Sequence, residues 1–165
     1  ERGAHYIKRG GSWRIVDGQL GTLGDHNLPL WLDVPLGKNV RVEFTTTSHS
    51  DAVDSKIEIF GDGERHQSGY IVILGGWHDS ITTIARLDEH EAHRVEVRRK
   101  WQKDRTYHWR VQRTDGHTVE MFIDGERIVA YDDKDPLVGP KNDKMAFTSW
   151  ESEVLYDDLK ITPLP

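Results

Sequence analysis

Val40-Arg41-Val42-Glu43-Phe44-Thr45 alternates apolar and polar side chains without a break, the two-residue period of a strand with one face in a core and the other in water. The same beat returns further along the chain. Tyr107, Trp109 and Val111 oppose His108, Arg110 and Gln112, while Val119, Met121 and Ile123 oppose Thr118 and Glu120. Ile57 and Ile59 repeat it briefly. Between these runs stand turn signals at short intervals, among them Asp17-Gly18, Gly61-Asp62-Gly63, Gly75-Gly76, Asp115-Gly116, Asp124-Gly125 and Gly139-Pro140. Asp115-Gly116 is expected to join 107–114 to 117–123, and Asp124-Gly125 to join that strand to 126–131, as hairpins whose turns need positive φ. The best helix candidate, 86–94, lacks an apolar stripe at helical spacing. The expectation is an all-β chain of about ten to thirteen short antiparallel strands, packed as a two-sheet β-sandwich.

Composition agrees with a single domain over residues 1–165, since a chain of this length can bury a hydrophobic core without covalent staples. With 36% hydrophobic and 30% charged residues it falls outside the disordered and fibrous classes. No apolar run reaches the roughly 20 residues of a membrane helix. The absence of cysteine excludes disulfides, thiol catalysis and thiolate metal sites. The net charge of −6 is the wrong sign for a typical nucleic-acid binder. Eight Lys or Arg between Arg94 and Arg113 make a local exception, read as a solvated strand face and turn. The sequence starts at Glu1 without a methionine or an apolar signal segment, as a piece trimmed from a longer precursor or cut from a multidomain chain would.

Several segments, taken in order, carry a resemblance. They are Trp13-Arg14-Ile15-Val16-Asp17-Gly18-Gln19-Leu20, Gly69-Tyr70-Ile71-Val72-Ile73-Leu74-Gly75-Gly76-Trp77, Tyr107-His108-Trp109-Arg110-Val111 and Val119-Glu120-Met121-Phe122-Ile123-Asp124-Gly125-Glu126. Asp135-Pro136-Leu137-Val138-Gly139-Pro140, Phe147-Thr148-Ser149-Trp150 and Tyr156-Asp157-Asp158-Leu159-Lys160-Ile161 complete the series. The chain resembles the concanavalin A-like lectin/glucanase superfamily, in particular its bacterial laminin-G-like members and the 3-keto-disaccharide hydrolase (glycoside hydrolase 16-like) domains. The resemblance implies a jelly roll with a concave face on which a glycan often lies. It does not choose between lectin, adhesion module, hydrolase and lyase.

Glycoside hydrolysis needs two carboxyl groups, roughly 5–5.5 Å apart in retaining and roughly 6.5–9.5 Å apart in inverting enzymes. The hydrolytic signature that the resemblance would bring, Glu-x-Asp-x-x-Glu or Glu-x-Asp-x-Glu on one strand, is absent. Glu120, Asp124 and Glu126 have the wrong spacing and are split by a turn, and Glu151 and Glu153 follow Trp150 where a strand connection is expected. No catalytic residue is therefore assigned, although strands distant in sequence can still bring carboxylates together. Among nine histidines, His90-Glu91-Ala92-His93 falls one residue short of a zinc motif. Residues i and i+3 of a strand also point to opposite faces. No Gly-x-Ser-x-Gly elbow supports a serine nucleophile. Asp157 and Asp158 resemble the position where jelly-roll carbohydrate modules place a carboxylate for a structural calcium, completed by carbonyls and an acid near the start of the domain.

The six tryptophans divide. Trp109 alternates with Tyr107 and Val111 and is assigned to the core, as are Trp13 and Trp150. Trp77, beside His78 and Asp79 after Gly75-Gly76, is placed at the rim of the concave face, where a flat ring can stack on a sugar. Trp101 and Trp31 follow it as candidates, Trp101 because Lys100 and Lys103 adjoin it. His49, Asp51 and Asp54 occupy a polar loop expected at the same end. The reading is a non-catalytic carbohydrate-binding, lectin-like module of a secreted or surface protein, whether extracellular, cell-surface or periplasmic. Its partner is an oligosaccharide or polysaccharide. No nucleic acid, membrane span or organic cofactor is expected, and neighbouring domains are. A glycan-degrading enzyme of the 3-keto-disaccharide hydrolase kind and a protein–protein interaction module remain the alternatives.

Overall fold

The computed structural model describes residues 6–8 and 10–165. In chain order its strands are β1 (Tyr6–Lys8), β2 (Arg14–Val16), β3 (Gln19–Leu23), β4 (Leu30–Leu32), β5 (Val40–Ser48), β6 (Ser55–Gly61) and β7 (Tyr70–Gly75). The second half adds β8 (Ile81–Arg86), β9 (Val95–Val97), β10 (Thr106–Arg113), β11 (Thr118–Ile123), β12 (Glu126–Asp132), β13 (Lys144–Ser149) and β14 (Glu153–Pro163). Two antiparallel seven-stranded sheets result, one in the order β1-β4-β13-β6-β7-β8-β9 and the other β12-β11-β10-β5-β14-β3-β2. The architecture is the expected jelly-roll β-sandwich. The fourteen strands among the described residues exceed the ten to thirteen expected, because β1, β2, β4 and β9 are three residues long and too short to show a period. Over 86–94, β8 ends at Arg86 and turns lead to β9, with no helix.

The alternating runs behave as their pattern dictates. Along β5 buried and half-buried residues alternate from end to end, and Val42 and Phe44 point into the core beside Trp109 and Val111 of β10. Phe44 stacks on Trp109 with ring centroids 5.0 Å apart and meets the edge of Phe147 at 5.6 Å. Two buried polar groups of this layer find partners inside it: Trp109 Nε1 donates to Thr46 Oγ1 at 2.7 Å, and the Tyr156 hydroxyl donates to the Thr148 carbonyl at 2.7 Å. Asp124 and Gly125, with φ of 50° and 85°, make the two-residue hairpin between β11 and β12. Past the end of β12, Asp133 accepts hydrogen bonds from the Tyr70 hydroxyl at 2.6 Å and Arg86 Nε at 2.8 Å, lacing one sheet to the other along one side.

The first sheet differs. Every residue of β6 and of β7 is buried. Ile57, Ile59, Val72 and Leu74 belong to the core, whereas Lys56, Glu58, Ile71 and Ile73 do not. By strand alternation these four lie on the opposite, outward face. Loops fold over that face, and the cavity described next is sunk into it.

Candidate functional site

A cavity of about 630 Å³ opens on the outward face of the first sheet, with Lys56 of β6 and Ile73 of β7 in its floor. Lys56 is 3% exposed in its side chain. Its ammonium donates to Asn27 Oδ1 at 3.0 Å and to Glu89 Oε2 at 3.2 Å, and stands 3.9 Å from Asp54 Oδ1. That last distance is too long for a hydrogen bond. Asp54 Oδ1 is buried and has no hydrogen-bond partner among the described residues. Burial pushes the Asp54 carboxyl up to about 6; the Lys56 ammonium opposes the rise and Glu89 adds to it.

Two aromatic rings form the walls. Trp150, 43% exposed, stacks on His26 with centroids 4.4 Å apart and planes at 21°, and His26 Nε2 lies 3.0 Å from Glu151 Oε1. Opposite, the half-buried Trp77 has the Arg94 guanidinium 4.5 Å from its ring centre and His90 edge-on at 5.7 Å. Arg94 also donates to the Glu89 carbonyl at 2.7 Å and pairs with Glu96 at 2.9 Å, which fixes the loop that delivers Glu89.

Local sequence explains how these loops come together. A Cβ on Gly24 (φ 82°) would lie 2.9 Å from the Glu151 carbonyl oxygen, so only glycine lets this loop close against the segment after β13. The Asn27 and Glu151 amides then bond to the Ser149 and Asp25 carbonyls at 2.9 and 3.1 Å, setting His26 and Asn27 beside Trp150. Trp77, His78 and Asp79 form a left-handed turn between β7 and β8, with φ of 49°, 58° and 56°. Asn27 (51°), Asp54 (28°) and Glu151 (56°) share that unfavourable sign. Backbone strain of order 1–2 kcal/mol per residue therefore concentrates around the cavity.

The residues expected from sequence distribute unevenly. Trp77 and His78 line the cavity, and so does Asp54 from the polar loop. Asp79 lies behind the wall, buried, with both oxygens accepting the Trp101 amide at 3.1 Å; burial raises its pKa. Trp101 is a correction. Its ring is 7% exposed, sits in the core and donates Nε1 to Thr82 Oγ1 at 2.8 Å, so no face is open to a ligand. Trp31 is fully buried. His49 is exposed at the end of β5, bonded to Asp104 at 2.7 Å and away from the cavity lining.

Trp150 is the opposite correction: expected in the core, it steps off the sheet as β13 ends at Ser149 and stands at the cavity mouth. Lys56, Glu89 and Asn27 were not anticipated. The alternation Lys56-Ile57-Glu58-Ile59 reads as a strand facing water, and only the overlying loops bury it. Asp157 lies opposite Thr45, and Asp158 is exposed in the bulge of β14 with φ 55°. Among the described residues, no three His, Asp or Glu side chains are grouped to share a metal ion.

No family model matches the sequence, and no curated protein does. The fold has solved counterparts. The carbohydrate-binding module CBM66 from Bacillus subtilis superposes with a TM-score of 0.78 at 12% identity, over 95% of this chain and 94% of that one. A putative glycosyl hydrolase from Parabacteroides distasonis gives 0.69 at 11%, over 98% and 94%. The carbohydrate recognition domain of Emp46p gives 0.67 at 11%, over 98% and 90%. At such identities the likeness establishes a shared jelly-roll β-sandwich and nothing about residues or ligands.

Proposed function

We propose that the chain is a carbohydrate-binding module and that the cavity over Lys56 is where the glycan sits. One observation carries the reading: a ring with an open face, Trp150, beside a buried floor on which Asp54 Oδ1 has no partner of its own. Sugars need that combination, an apolar plane for their C–H face and fixed polar atoms for their hydroxyls. The lectin-like fold and its carbohydrate-binding counterparts support it. Binding to a glycan array by the wild-type chain, weakened about tenfold or more in Trp150→Ala with the melting temperature kept, is the expected result. Silence across neutral and acidic glycans would instead favour a protein partner. In this reading the module acts without catalysis, within a secreted or surface protein and beside other domains. A structural calcium at Asp157 or Asp158 is a separate proposal, and a melting midpoint unmoved by chelator would remove it.

A second reading has its own support. Asp54 and Glu89 both approach the Lys56 ammonium, so their carboxylates are separated by no more than the sum of 3.9 and 3.2 Å, within reach of glycosidase spacing. A carboxyl raised to about 6 also suits a general acid. Lys56 lies against both carboxylates, which favours binding over turnover. Release of reducing ends or keto-sugars from an oligosaccharide panel, lost in Asp54→Asn, would establish the enzyme.

A further inference from the structure

Lys56 carries three N–H donors, and two of them are taken by Asn27 Oδ1 and Glu89 Oε2. Asp54 Oδ1 lies 3.9 Å from the same nitrogen and accepts from no donor among the described residues. An unused donor and an unused acceptor at that separation are too far apart to satisfy each other, yet both can reach one oxygen placed between them. A hydroxyl group fits: its oxygen accepts from the ammonium and its proton goes to the carboxylate, each over about 2.7–2.9 Å. A carboxylate or sulfate does not fit, because it has no proton to give Asp54.

Charge points the same way. Asp54, Glu89 and Glu151 line the cavity against the Lys56 ammonium, with His78 and His90 beside them. An acidic sugar entering there would meet three carboxylates, and the ammonium that could offset them is already engaged by Glu89.

We propose that the cavity selects uncharged saccharides, one hydroxyl of which inserts between Asp54 Oδ1 and Lys56 Nζ, and excludes uronic-acid and sulfated glycans. This rests on the carbohydrate-binding reading and narrows its ligand.

The test is calorimetric titration of the full chain at pH 7.5 and moderate salt. Neutral gluco-, manno-, galacto- and fructo-oligosaccharides are compared with oligogalacturonate and a sulfated galactan. At least one neutral series binds and both acidic ones do not, and Asp54→Asn weakens the neutral ligand by about tenfold or more, the loss expected when a charged acceptor becomes neutral. Asp54→Asn keeps its fold, which a melting curve confirms, because it removes a buried charge. Acidic glycans binding as tightly as neutral ones, with the affinity still lost in Trp150→Ala, would overturn the selectivity and leave the binding reading intact. Unchanged neutral binding in Asp54→Asn would overturn the hydroxyl site alone. Silence across the whole panel would sink both.

Discussion

The two outward faces of this sandwich are built from similar residue types and have opposite fates. On β5 and β11 the outward residues are partly exposed and pair across strands, as Arg41 does with Gln112 of β10 at 3.1 Å and Glu120 with Arg127 of β12 at 3.0 Å. On β6 and β7 the outward Lys56 and Glu58 lie under loops, with exposures of 2% and 0%. An exposed charge can take water as its partner. A buried one must be supplied with partners by the fold, and where the fold leaves one partner out, a ligand can take the place.

The sharpest way to break this comparison is to remove one glutamate from each face. Glu58 accepts from His66 Nδ1 and, through both oxygens, from the Gln67 amide at 3.0 Å. Glu58→Ala leaves these half-buried donors without their acceptor and empties a fully buried site, and is expected to destabilise by about 3 kcal/mol. Glu43→Ala, on the half-buried outward row of β5, should stay within about 0.5 kcal/mol. Urea midpoints measure both, and equal shifts would show that the two faces are energetically alike.

Asp54→Asn comes next, and its sign depends on pH. The folded carboxyl titrates near 6 and the unfolded one near 3.8, so the native state holds the proton more tightly. The stability belonging to the protonated form is fully present below about 3.8 and is lost as pH rises through 6. Substitution should therefore stabilise by up to about 3 kcal/mol at pH 7.5 and by little at pH 3.5. Melting at the two pH values decides it. A wild-type residue that costs stability where the cavity lies is what a binding role predicts.

The same contrast explains what could be read from sequence. Alternation at Val40-Arg41-Val42-Glu43 and at Tyr107-His108-Trp109 reports one wet face, and those strands fell where expected. Ser55-Lys56-Ile57-Glu58 carries the same alternation but lies under loops that no local period encodes. The cavity floor was hidden because its residues imitate a surface. Trp77 was legible from its position after Gly75-Gly76. Trp150 was not, because the step off β13 depends on contacts with the distant Gly24 loop. Trp101 was misjudged because its lysine neighbours face outward while its own ring turns in.

A smaller test sets aromatic against aromatic. Trp150→Ala is expected to cost about tenfold or more in glycan affinity, since roughly 1.4 kcal/mol of ring contact is lost. Phe122 of β11, packed under the Arg110 guanidinium at 3.9 Å on the other outward face, should be silent in the same titration when changed to alanine. A loss at Phe122 as large as at Trp150 would move the binding surface to the second sheet.

The smallest expected effect is in the backbone. His78 and Asp124 both hold left-handed conformations, with φ of 58° and 50°. Asp124 is compensated, since its carboxylate accepts the His108 amide at 3.0 Å and Arg105 at 3.1 Å while its turn closes a hairpin. The exposed His78 shows no such side-chain bond, and its strain serves only to hold the turn that carries Trp77. Glycine should thus act in opposite directions. His78→Gly relieves the strain and stabilises by about 1 kcal/mol, whereas Asp124→Gly loses its bonds and destabilises by a similar amount. If the two substitutions shift the melting temperature in the same direction, the strain around the cavity is no different from that of an ordinary hairpin, and its tie to binding fails.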